Sequence, residues 1–479
     1  MNYRAIALPI GRLLILISVL MIVPGIADVF ARNSDWQVFL VSALVLGTAG
    51  LLMTMAFQGE QPPSHFREAI LFVNAAWFTF SFAGAVPFYF SGLGISFTDA
   101  FFETASGLTT TGSTILTGLD TLPPGILLWR ALLQWVGGIG VVAIGIWLLP
   151  GLRVGGSQLF ALESSENTSK PYGHVGPFVY RLLALYAGLS IACATLYLLC
   201  GMTFFEAVIH SMTTVSTGGF STSDQSFGQF DGLAVYWVAS VFMLGSAVPF
   251  LYLIRSIERR HWVKDVQIML LLAIVAAASI SVFLFERFIG HDTPFQMFTF
   301  AVFNVVSVIT TTGYAANDYL QFGPPVIAIF FVLTFFGGCS GSTSGGFKMF
   351  RIAILGSYIQ GLFRRMIRPH RVVEPKYQGR AVSNPVLEGV LVFAVLYAGA
   401  FAAFSLVYMM LGLDLETALS ASITALANVG PGVGDTIGPS GTFQSLPDLA
   451  KWFLAVQMIL GRLEILAGIL LLTPDFWLD

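Results

Sequence analysis

The chain has 479 residues, of which 56% are hydrophobic and only 10% are charged, and its formal net charge is −3 at pH 7. A water-soluble globule cannot hide that much apolar surface in its core, so this composition excludes a soluble protein and indicates an integral membrane protein. The three cysteines, Cys193, Cys200 and Cys339, lie within or beside apolar segments. Their spacing indicates neither a disulfide framework nor a metal site.

Apolar stretches of about 20 residues or more, enough to cross a ~30 Å hydrocarbon core as a helix, recur from residues 6–27 to the run after Lys451. We predict ten full spans, with four shorter apolar segments between them. No small-residue cleavage site follows the first span, which is therefore predicted to be an uncleaved anchor rather than a signal peptide.

Basic residues gather in two loops, which predicts that both loops face the cytoplasm. The first loop contains Arg255, Arg259, Arg260 and Lys264, and the second contains Arg364, Arg365, Arg368, Arg371, Lys376 and Arg380. Both chain termini and the loop 153–181 then fall on the cytoplasmic side. We interpret the second cluster mainly as a signal of membrane topology. A surface that docks a partner is the alternative interpretation.

A short motif recurs about every hundred residues, and an internal repeat of this kind is more informative than any single residue. It reads TTTG at 109–112, VSTGG at 215–219, TTTG at 310–313 and ANVGP at 427–431. Each copy follows an apolar span and a short apolar segment, and precedes another span. The predicted fold class is an all-α integral membrane protein, in which four repeats of helix, re-entrant pore helix and helix surround one pore, after an extra N-terminal helical pair.

The predicted units follow from these repeats. They are 1–62 for the N-terminal pair, 63–152, 153–262 and 263–372 for the first three repeats, and 373–479 for the fourth. The second helix of the third repeat is predicted to be broken.

The four short segments cannot cross the bilayer, because about 12 residues of helix span only ~18 Å. Thr203 with Glu206 and Thr293 with Gln296 have the spacing of a capping box, and Pro294 would take the first helical position. Each segment must dip into the membrane and return, which is tolerated where the loop is buried in protein or lines a watery cavity. Four such helices, with their partially negative C-terminal ends converging on one axis, favour a cation there.

The residues after each short helix are small or β-branched and lead to a glycine, which accepts backbone dihedrals that other residues resist. Consecutive carbonyl groups in such loops can replace the water shell of an ion, as they do in potassium channels. The predicted filter residues are Thr110, Thr111, Gly112, Ser216, Thr217, Gly218, Thr311, Thr312, Gly313, Asn428, Val429 and Gly430. None of them is a carboxylate, which argues against the acidic rings expected of calcium or sodium filters.

A second unusual stretch, GGCSGSTSGGFK at residues 337–348, interrupts the span that should complete the third repeat. It is not a phosphate loop, because Phe347 displaces the lysine and no Ser or Thr follows Lys348. Helix propensity collapses over its glycines and hydroxyl residues, so the span is predicted to break just below the filter. Its low apolar content predicts the least stable part of the pore. A close-packing helix face is the alternative interpretation.

Arg462 lies near the middle of the last span, where an isolated charge is costly and usually turns inward. Lys348 and Arg351 are weaker candidates, placed at the cytoplasmic exit of the pore. We interpret His210 as a packed, hydrogen-bonded side chain rather than a proton carrier. Three carboxylates of the short helices are interpreted as supports of the helix starts: Glu103, Glu206 and Glu416.

With these motifs the chain resembles the Trk/Ktr/HKT superfamily of potassium transporters over essentially its whole length, and most closely the bacterial TrkH-like subunits. When the motifs of the family are aligned with those of this chain, the filter glycines of the family match Gly112, Gly218, Gly313 and Gly430. Glycine rather than serine at Gly112 favours potassium over sodium by resemblance.

The stretch 337–348, here called the gate loop, is similar to the intramembrane gate of that superfamily. The resemblance also implies that Arg462 bonds carbonyl or hydroxyl groups of residues 338–344. The candidate gate residues are Gly337, Gly338, Cys339, Ser340, Gly341, Ser342, Thr343, Ser344, Gly345, Gly346, Lys348 and Arg462.

The resemblance further implies a multi-pass protein of the bacterial inner membrane that takes up potassium and rubidium and holds no bound cofactor. It implies a homodimer in contact with membrane lipid and with a cytosolic, nucleotide-binding regulatory ring similar to TrkA, and no nucleic-acid partner.

A filter with a gate serves a channel and a symporter alike, so proton- or sodium-coupled potassium symport and a sodium-permeable transporter stay open. An organic-solute transporter is disfavoured because the four repeats run in the same direction. An enzyme is not expected, since full spans lack paired carboxylates or histidine ligands.

Overall fold

Helices make up most of the described chain, which also contains one short two-stranded hairpin. In this computed structural model the described residues are 3–60, 63, 65–152, 175–261, 263–289, 293–368, 370 and 374–478. Arg371 and most of the loop 153–181, both predicted to be cytoplasmic, lie outside the described residues.

The helices occur in the predicted order, with an N-terminal pair before four repeats. The pair is α1 (Tyr3–Phe30) and α2 (Trp36–Ala56). The first repeat contains α3 (Phe66–Phe90), α4 (Phe97–Leu108) and α5 (Pro124–Leu152). The second contains α6 (Val175–Leu199), α7 (Phe204–Val215), α8 (Leu233–Ser246) and α9 (Phe250–Arg259).

The third and fourth repeats are joined by a short antiparallel hairpin, β1 (Lys376–Tyr377) and β2 (Arg380–Ala381). The third repeat contains α10 (Val266–Ile289), α11 (Pro294–Ile309), α12 (Pro324–Thr334) and α13 (Met349–Ile367). The fourth contains α14 (Asn384–Met410), α15 (Leu415–Ala427), α16 (Asp448–Arg462), α17 (Leu466–Leu470) and α18 (Pro474–Trp477). The short pore helices are α4, α7, α11 and α15, and the predicted all-α membrane fold is confirmed.

Among the described residues, seven helices are continuous, long and apolar enough to cross a membrane: α1, α2, α3, α5, α6, α10 and α14. The other three predicted spans are each divided in two, although the sequence predicted only the break between α12 and α13. The axes of α8 and α9 meet at 95°, because Pro249 lies between them and disfavours a helical residue before it. Between α16 and α17, Glu464 and Ile465 have positive φ values of 60° and 31°, and no local proline or glycine run predicts this break.

Each pore helix begins at an oxygen-bearing side chain that accepts a hydrogen bond from the first turn. Ser96 accepts from the N–H of Asp99, Thr203 from Glu206, Thr293 from Gln296 and Asp414 from Thr417. The N–H of Thr203 in turn donates to the Glu206 carboxylate at 2.9 Å, which completes the predicted capping box. Pro294 lies in the first turn of α11, as predicted. At the exposed start of α15, hydrogen bonds from Thr417 lower the pKa of the Asp414 carboxyl.

The two largest of four apolar clusters among the described residues hold most of the repeats together. One is built mainly from the N-terminal pair and repeats 1 and 4, and includes Met21, Trp129 and Met458. The other is built mainly from repeats 2 and 3 and includes Tyr236 and Phe303. Large apolar side chains on α1 and α2, among them Val41, Leu44 and Leu52, remain exposed. Such extensive apolar exposure marks a surface that contacts lipid.

Candidate functional site

The loops that follow the four pore helices share one backbone pattern. In each loop a non-glycine residue has positive φ, and a glycine two residues later does so too. The non-glycine residues are Thr110, Thr217, Thr311 and Asn428, with φ of 54°, 53°, 58° and 56°. The glycines are Gly112, Gly219, Gly313 and Gly430, with φ of 85°, 84°, 82° and 109°. Left-handed backbone is uncommon outside glycine, so the shared pattern fixes the structural register of the four loops.

This register corrects the sequence prediction in the second loop. Gly219, not Gly218, takes the position of Gly112, so the equivalent triplet is Thr217, Gly218 and Gly219. Ser216 is instead the C-cap of α7. The double glycine in VSTGGF permits either register in the sequence, and the motif alone does not decide between them.

The four equivalent glycines form a closed ring of backbone contacts, here called the glycine ring (Gly112, Gly219, Gly313, Gly430). A Cβ atom added to Gly112 would collide with the carbonyl oxygen of Gly218 in the second loop. In the same way Gly219 meets the carbonyl of Thr312, Gly313 meets that of Val429, and Gly430 meets that of Thr111. The contacts pass from each loop to the next and return to the first. A side chain at any of these positions would therefore displace the neighbouring loop.

The glycine ring borders a single cavity of about 200 Å³. All four of its glycines line this cavity, together with the segments that follow each loop. The C-terminal ends of the four pore helices lead directly into the ring, which makes the local potential favourable for a cation. Thr110, Thr217 and Thr311 are fully buried beside it.

Polar side chains brace the ring. Hydroxyl pairs join Thr109 to Thr111 at 2.7 Å and Thr310 to Thr312 at 2.9 Å. The side-chain amide of Asn428 donates to the Thr111 hydroxyl at 2.9 Å, and the Ser113 hydroxyl donates to the carbonyl of Gly430 at 2.8 Å. The first and fourth loops are therefore tied together by side chains as well as by backbone packing.

A buried ion pair that the sequence did not predict supports the first two loops. Glu103 accepts hydrogen bonds from Nε of Arg130 at 2.8 Å and from the N–H of Ile115 at 3.0 Å. Arg130 also donates to the carbonyl of Ser221 at 3.0 Å, and its guanidinium lies 4.0 Å from the ring centre of Phe220. Glu103 lies in the middle of α4, so its interpretation as a support of the helix start is wrong. The sequence feature that could have indicated this pair is Arg130, because a charged residue inside an apolar span usually has a partner.

Two further buried side chains hold the second loop. Gln134 donates to the carbonyl of Gly218 at 2.6 Å and accepts from the N–H of Phe220 at 3.1 Å. His210 bonds through Nδ1 to the Glu206 carbonyl at 2.9 Å and through Nε2 to the Ser221 hydroxyl at 3.1 Å. His210 is therefore packed and hydrogen-bonded, as predicted.

The gate loop lies directly against the loops that carry the glycine ring. Three hydrogen bonds join them: Ser344 Oγ to the Thr310 carbonyl at 2.7 Å, the Gly345 N–H to Thr311 Oγ1 at 2.8 Å, and Thr217 Oγ1 to Thr343 Oγ1 at 3.2 Å. Ser342, Thr343 and Ser344 are buried. The sequence predicted that this loop is the least stable part of the pore, because it contains few apolar residues. In the structure, hydrogen bonds rather than apolar contacts hold the loop.

The other gate residues anchor the loop to neighbouring helices. The anchoring bonds are Cys339 N–H to the Ala247 carbonyl at 2.8 Å, Ser340 N–H to Gln267 Oε1 at 2.8 Å, and Phe250 N–H to the Gly341 carbonyl at 3.0 Å. At the ends of the loop, Gly337 donates to the carbonyl of Phe347, and Gly338 accepts from Met349, both at 3.1 Å. Gly346 has a φ of 69° and packs against the backbone of Phe336.

Two positively charged side chains donate hydrogen bonds to neighbouring carbonyl groups of the gate loop. Arg462 donates to the carbonyl of Thr343 at 2.9 Å, and Lys348 donates to the carbonyl of the next residue. Arg462 is only 4% exposed, so it does not reach the surface. Arg351 is also buried and pairs with Glu464 at 2.6 Å. The structure thus brings Arg462 and Lys348 into contact with the predicted gate residues, next to the loops of the glycine ring.

The chain is similar to known proteins over its whole length. The family model described as TrkH, cation transport protein, matches residues 35–268 and 264–476. The Trk system potassium uptake protein TrkI of Halomonas elongata is 39% identical over 97% of this chain and 94% of its own. The Trk system potassium uptake protein TrkH of Escherichia coli K12 is 33% identical over 100% of both chains. The crystal structure of the potassium transporter TrkH from Vibrio parahaemolyticus matches with a TM-score of 0.91 and 34% identity, covering 100% of both chains.

Proposed function

The chain belongs to the TrkH family of cation transport proteins, and on that basis we propose that it takes up potassium through the glycine ring under the control of the gate loop. Full-length relatives named as potassium uptake proteins support the choice of ion. The proposal carries over to rubidium, which has a similar size and the same charge.

The observation that carries this proposal is the single cavity bordered by all four ring glycines. A ring made of backbone offers carbonyl oxygens and helix ends to an ion, and these can replace its water shell. Carboxylates would bind a sodium or calcium ion more strongly. None of the three-residue segments that end at the four ring glycines contains a carboxylate. Neutral oxygen ligands of this kind favour the more easily dehydrated potassium ion.

The gate loop supplies the control in this proposal. It contacts the second and third filter loops directly. Arg462 and Lys348 hold its carbonyl groups and add positive charge next to the ion path. Movement of the loop away from the ring would remove the obstruction and break the bond between Arg462 and Thr343.

We also propose the setting in which this pore works. The protein lies in the inner membrane as a homodimer, with both termini in the cytoplasm. A cytosolic, nucleotide-binding regulatory ring meets the basic loops 255–264 and 361–380. The Trk system names of the relatives and the positive charge of these loops support the assignment.

Flux measurements on the purified protein in liposomes test the function. We expect the protein to take up rubidium, and we expect external potassium to inhibit this uptake. An organic cation tracer should not be taken up. Rubidium uptake that sodium inhibits as strongly as potassium would favour the sodium-permeable alternative. A reversal potential that shifts with an imposed proton or sodium gradient would favour coupled symport. Protein-free liposomes serve as the control, and the absence of rubidium flux above that control would contradict the proposal.

A further inference from the structure

A second pocket lies away from the pore, where the α9–α10 loop meets the hairpin of β1 and β2. Its volume is about 340 Å³, which falls in the range of small-molecule sites. The residues that line it are Tyr252, Arg255, Ser256, Arg259, His261, Val263, Lys264, Asp265, Tyr377, Gln378 and Arg380.

The pocket concentrates positive charge. Arg255, Arg259, Lys264 and Arg380 line it. Arg255 and Arg259 are four residues apart on α9, so their side chains share one face of the helix, where like charges repel each other. Such an arrangement is most stable when an anion neutralises it.

The carboxylate in the lining does not fill that role. Asp265 is the one acidic residue among the described residues of the pocket. Its Oδ2 accepts from the side chain of Gln378 at 2.9 Å, and its Oδ1 accepts from the N–H of Gln267 at 2.7 Å. Asp265 thus ties the hairpin to the start of α10, and Arg255, Arg259 and Lys264 leave the lining with more positive than negative charge.

The donors also suit one kind of anion. Two guanidinium groups on one helix face and a lysine ammonium in the following loop provide several N–H donors in the lining of one small pocket, which is how proteins bind tetrahedral phosphate oxygens. The hydroxyl of Ser256 also borders the pocket.

We infer that this pocket is a binding site for a phosphate group, carried either by an anionic phospholipid headgroup or by a soluble phosphate compound. Val263 lines the pocket and is 61% exposed, so an apolar surface accompanies the charges on one side. This inference does not depend on which ion the pore conducts.

The pocket is joined to the gate loop by two short connections. Phe250, at the start of the helix that carries Arg255 and Arg259, donates to the Gly341 carbonyl at 3.0 Å. Gln267, held by Asp265, accepts from the N–H of Ser340 at 2.8 Å. A ligand that draws α9 and the start of α10 together therefore acts on residues that hold the gate loop, and we expect it to change the rate of ion flux.

Binding measurements on the full-length protein in phosphatidylcholine nanodiscs test the site. One arm adds phosphatidylglycerol, and the other adds inorganic phosphate and then ADP. The test variant is Arg255→Gln with Lys264→Gln. The control is Arg364→Gln with Arg368→Gln, which removes the same charge from the basic surface outside the pocket.

We expect at least tenfold weaker binding in the test variant and less than a twofold change in the control. Binding in the first arm identifies a lipid headgroup, and binding in the second identifies a soluble phosphate. If neither arm shows binding, or if both variants lose it equally, the site does not exist as proposed. Arg259→Gln, at an exposed position, repeats the test if the double variant does not fold.

Discussion

At Gly313 two constraints coincide, since its φ is 82° and the carbonyl oxygen of Val429 occupies the place of a side chain. We expect Gly313→Ser to displace the fourth loop and to lower the preference for potassium over sodium roughly tenfold, or ~1.4 kcal/mol. Bi-ionic reversal potentials measure this change. Gly412→Ser is the matched control, because Gly412 has a φ of 94° with no atom within 4 Å of an added Cβ. Unchanged selectivity in folded Gly313→Ser protein would rule out the filter assignment.

The corrected register of the second loop makes a separate prediction. An added Cβ at Gly219 meets the backbone of Thr312, whereas at Gly218 it meets only the end of the flexible Gln134 side chain. We therefore expect Gly219→Ala to lower potassium selectivity several-fold more than Gly218→Ala, because a side chain moves aside more easily than a backbone. Parallel selectivity measurements on the two variants decide the register. A larger effect at Gly218 would restore the assignment made from the sequence.

The pair formed by Glu103 and Arg130 is expected to stabilise the fold as well as the first two filter loops. Arg130→Met leaves a buried carboxylate without its partner, which costs about 3–5 kcal/mol. Thermal unfolding of the purified protein measures the loss, and sodium permeation should rise with it. Arg181→Met provides the comparison, because Arg181 and Glu258 are 58% and 49% exposed and such a pair contributes less than about 1 kcal/mol. Equal stability of the two variants would contradict this role.

At the scale of elements, the short pore helices and their order were predictable, because capping residues and interrupted apolar runs are local signals. The break between α12 and α13 was predictable for the same reason, from its run of glycines. The break at Glu464 and Ile465 was not, since neither residue favours a positive φ and the partner of Glu464, Arg351, is distant in the sequence. The pairing of Glu103 with Arg130 was also hidden, because two separate helices bring these residues together.

The gate loop is the element whose movement we expect to control the flux. A hydrogen bond from a charged donor contributes about 1.5–3 kcal/mol, so loss of the bond from Arg462 to Thr343 should raise the open population roughly tenfold or more. Arg462→Ala is therefore expected to increase rubidium uptake per folded protein, with selectivity retained. Lys451→Ala is the control on the same helix, since Lys451 pairs with Asp99 at 2.6 Å and does not hold the loop. Faster uptake in both variants, or in neither, would argue against the gate.

At the scale of the whole molecule, the four repeats share one ring but are stabilised differently. Repeats 1 and 4 pack mainly in one apolar core with the N-terminal pair, and repeats 2 and 3 pack mainly in the other. The gate loop belongs to the third repeat and bonds to α8, α9 and α10 as well as to the filter. Motion of these three helices therefore reaches the gate loop more directly than motion of the N-terminal pair.

The regulatory ring in the proposed assembly should dock at the exposed end of α13. Arg364 lies there beside Phe363 and Met366, which are 60% and 77% exposed, so the surface offers positive charge next to apolar area. We expect Arg364→Glu with Arg365→Glu to abolish co-purification of the ring at low salt, because charge complementarity governs such encounters and salt screens them. Arg32→Glu, in the loop predicted to face outside, should leave co-purification intact. Retention of the ring by the α13 variant at low salt would show that another surface binds it.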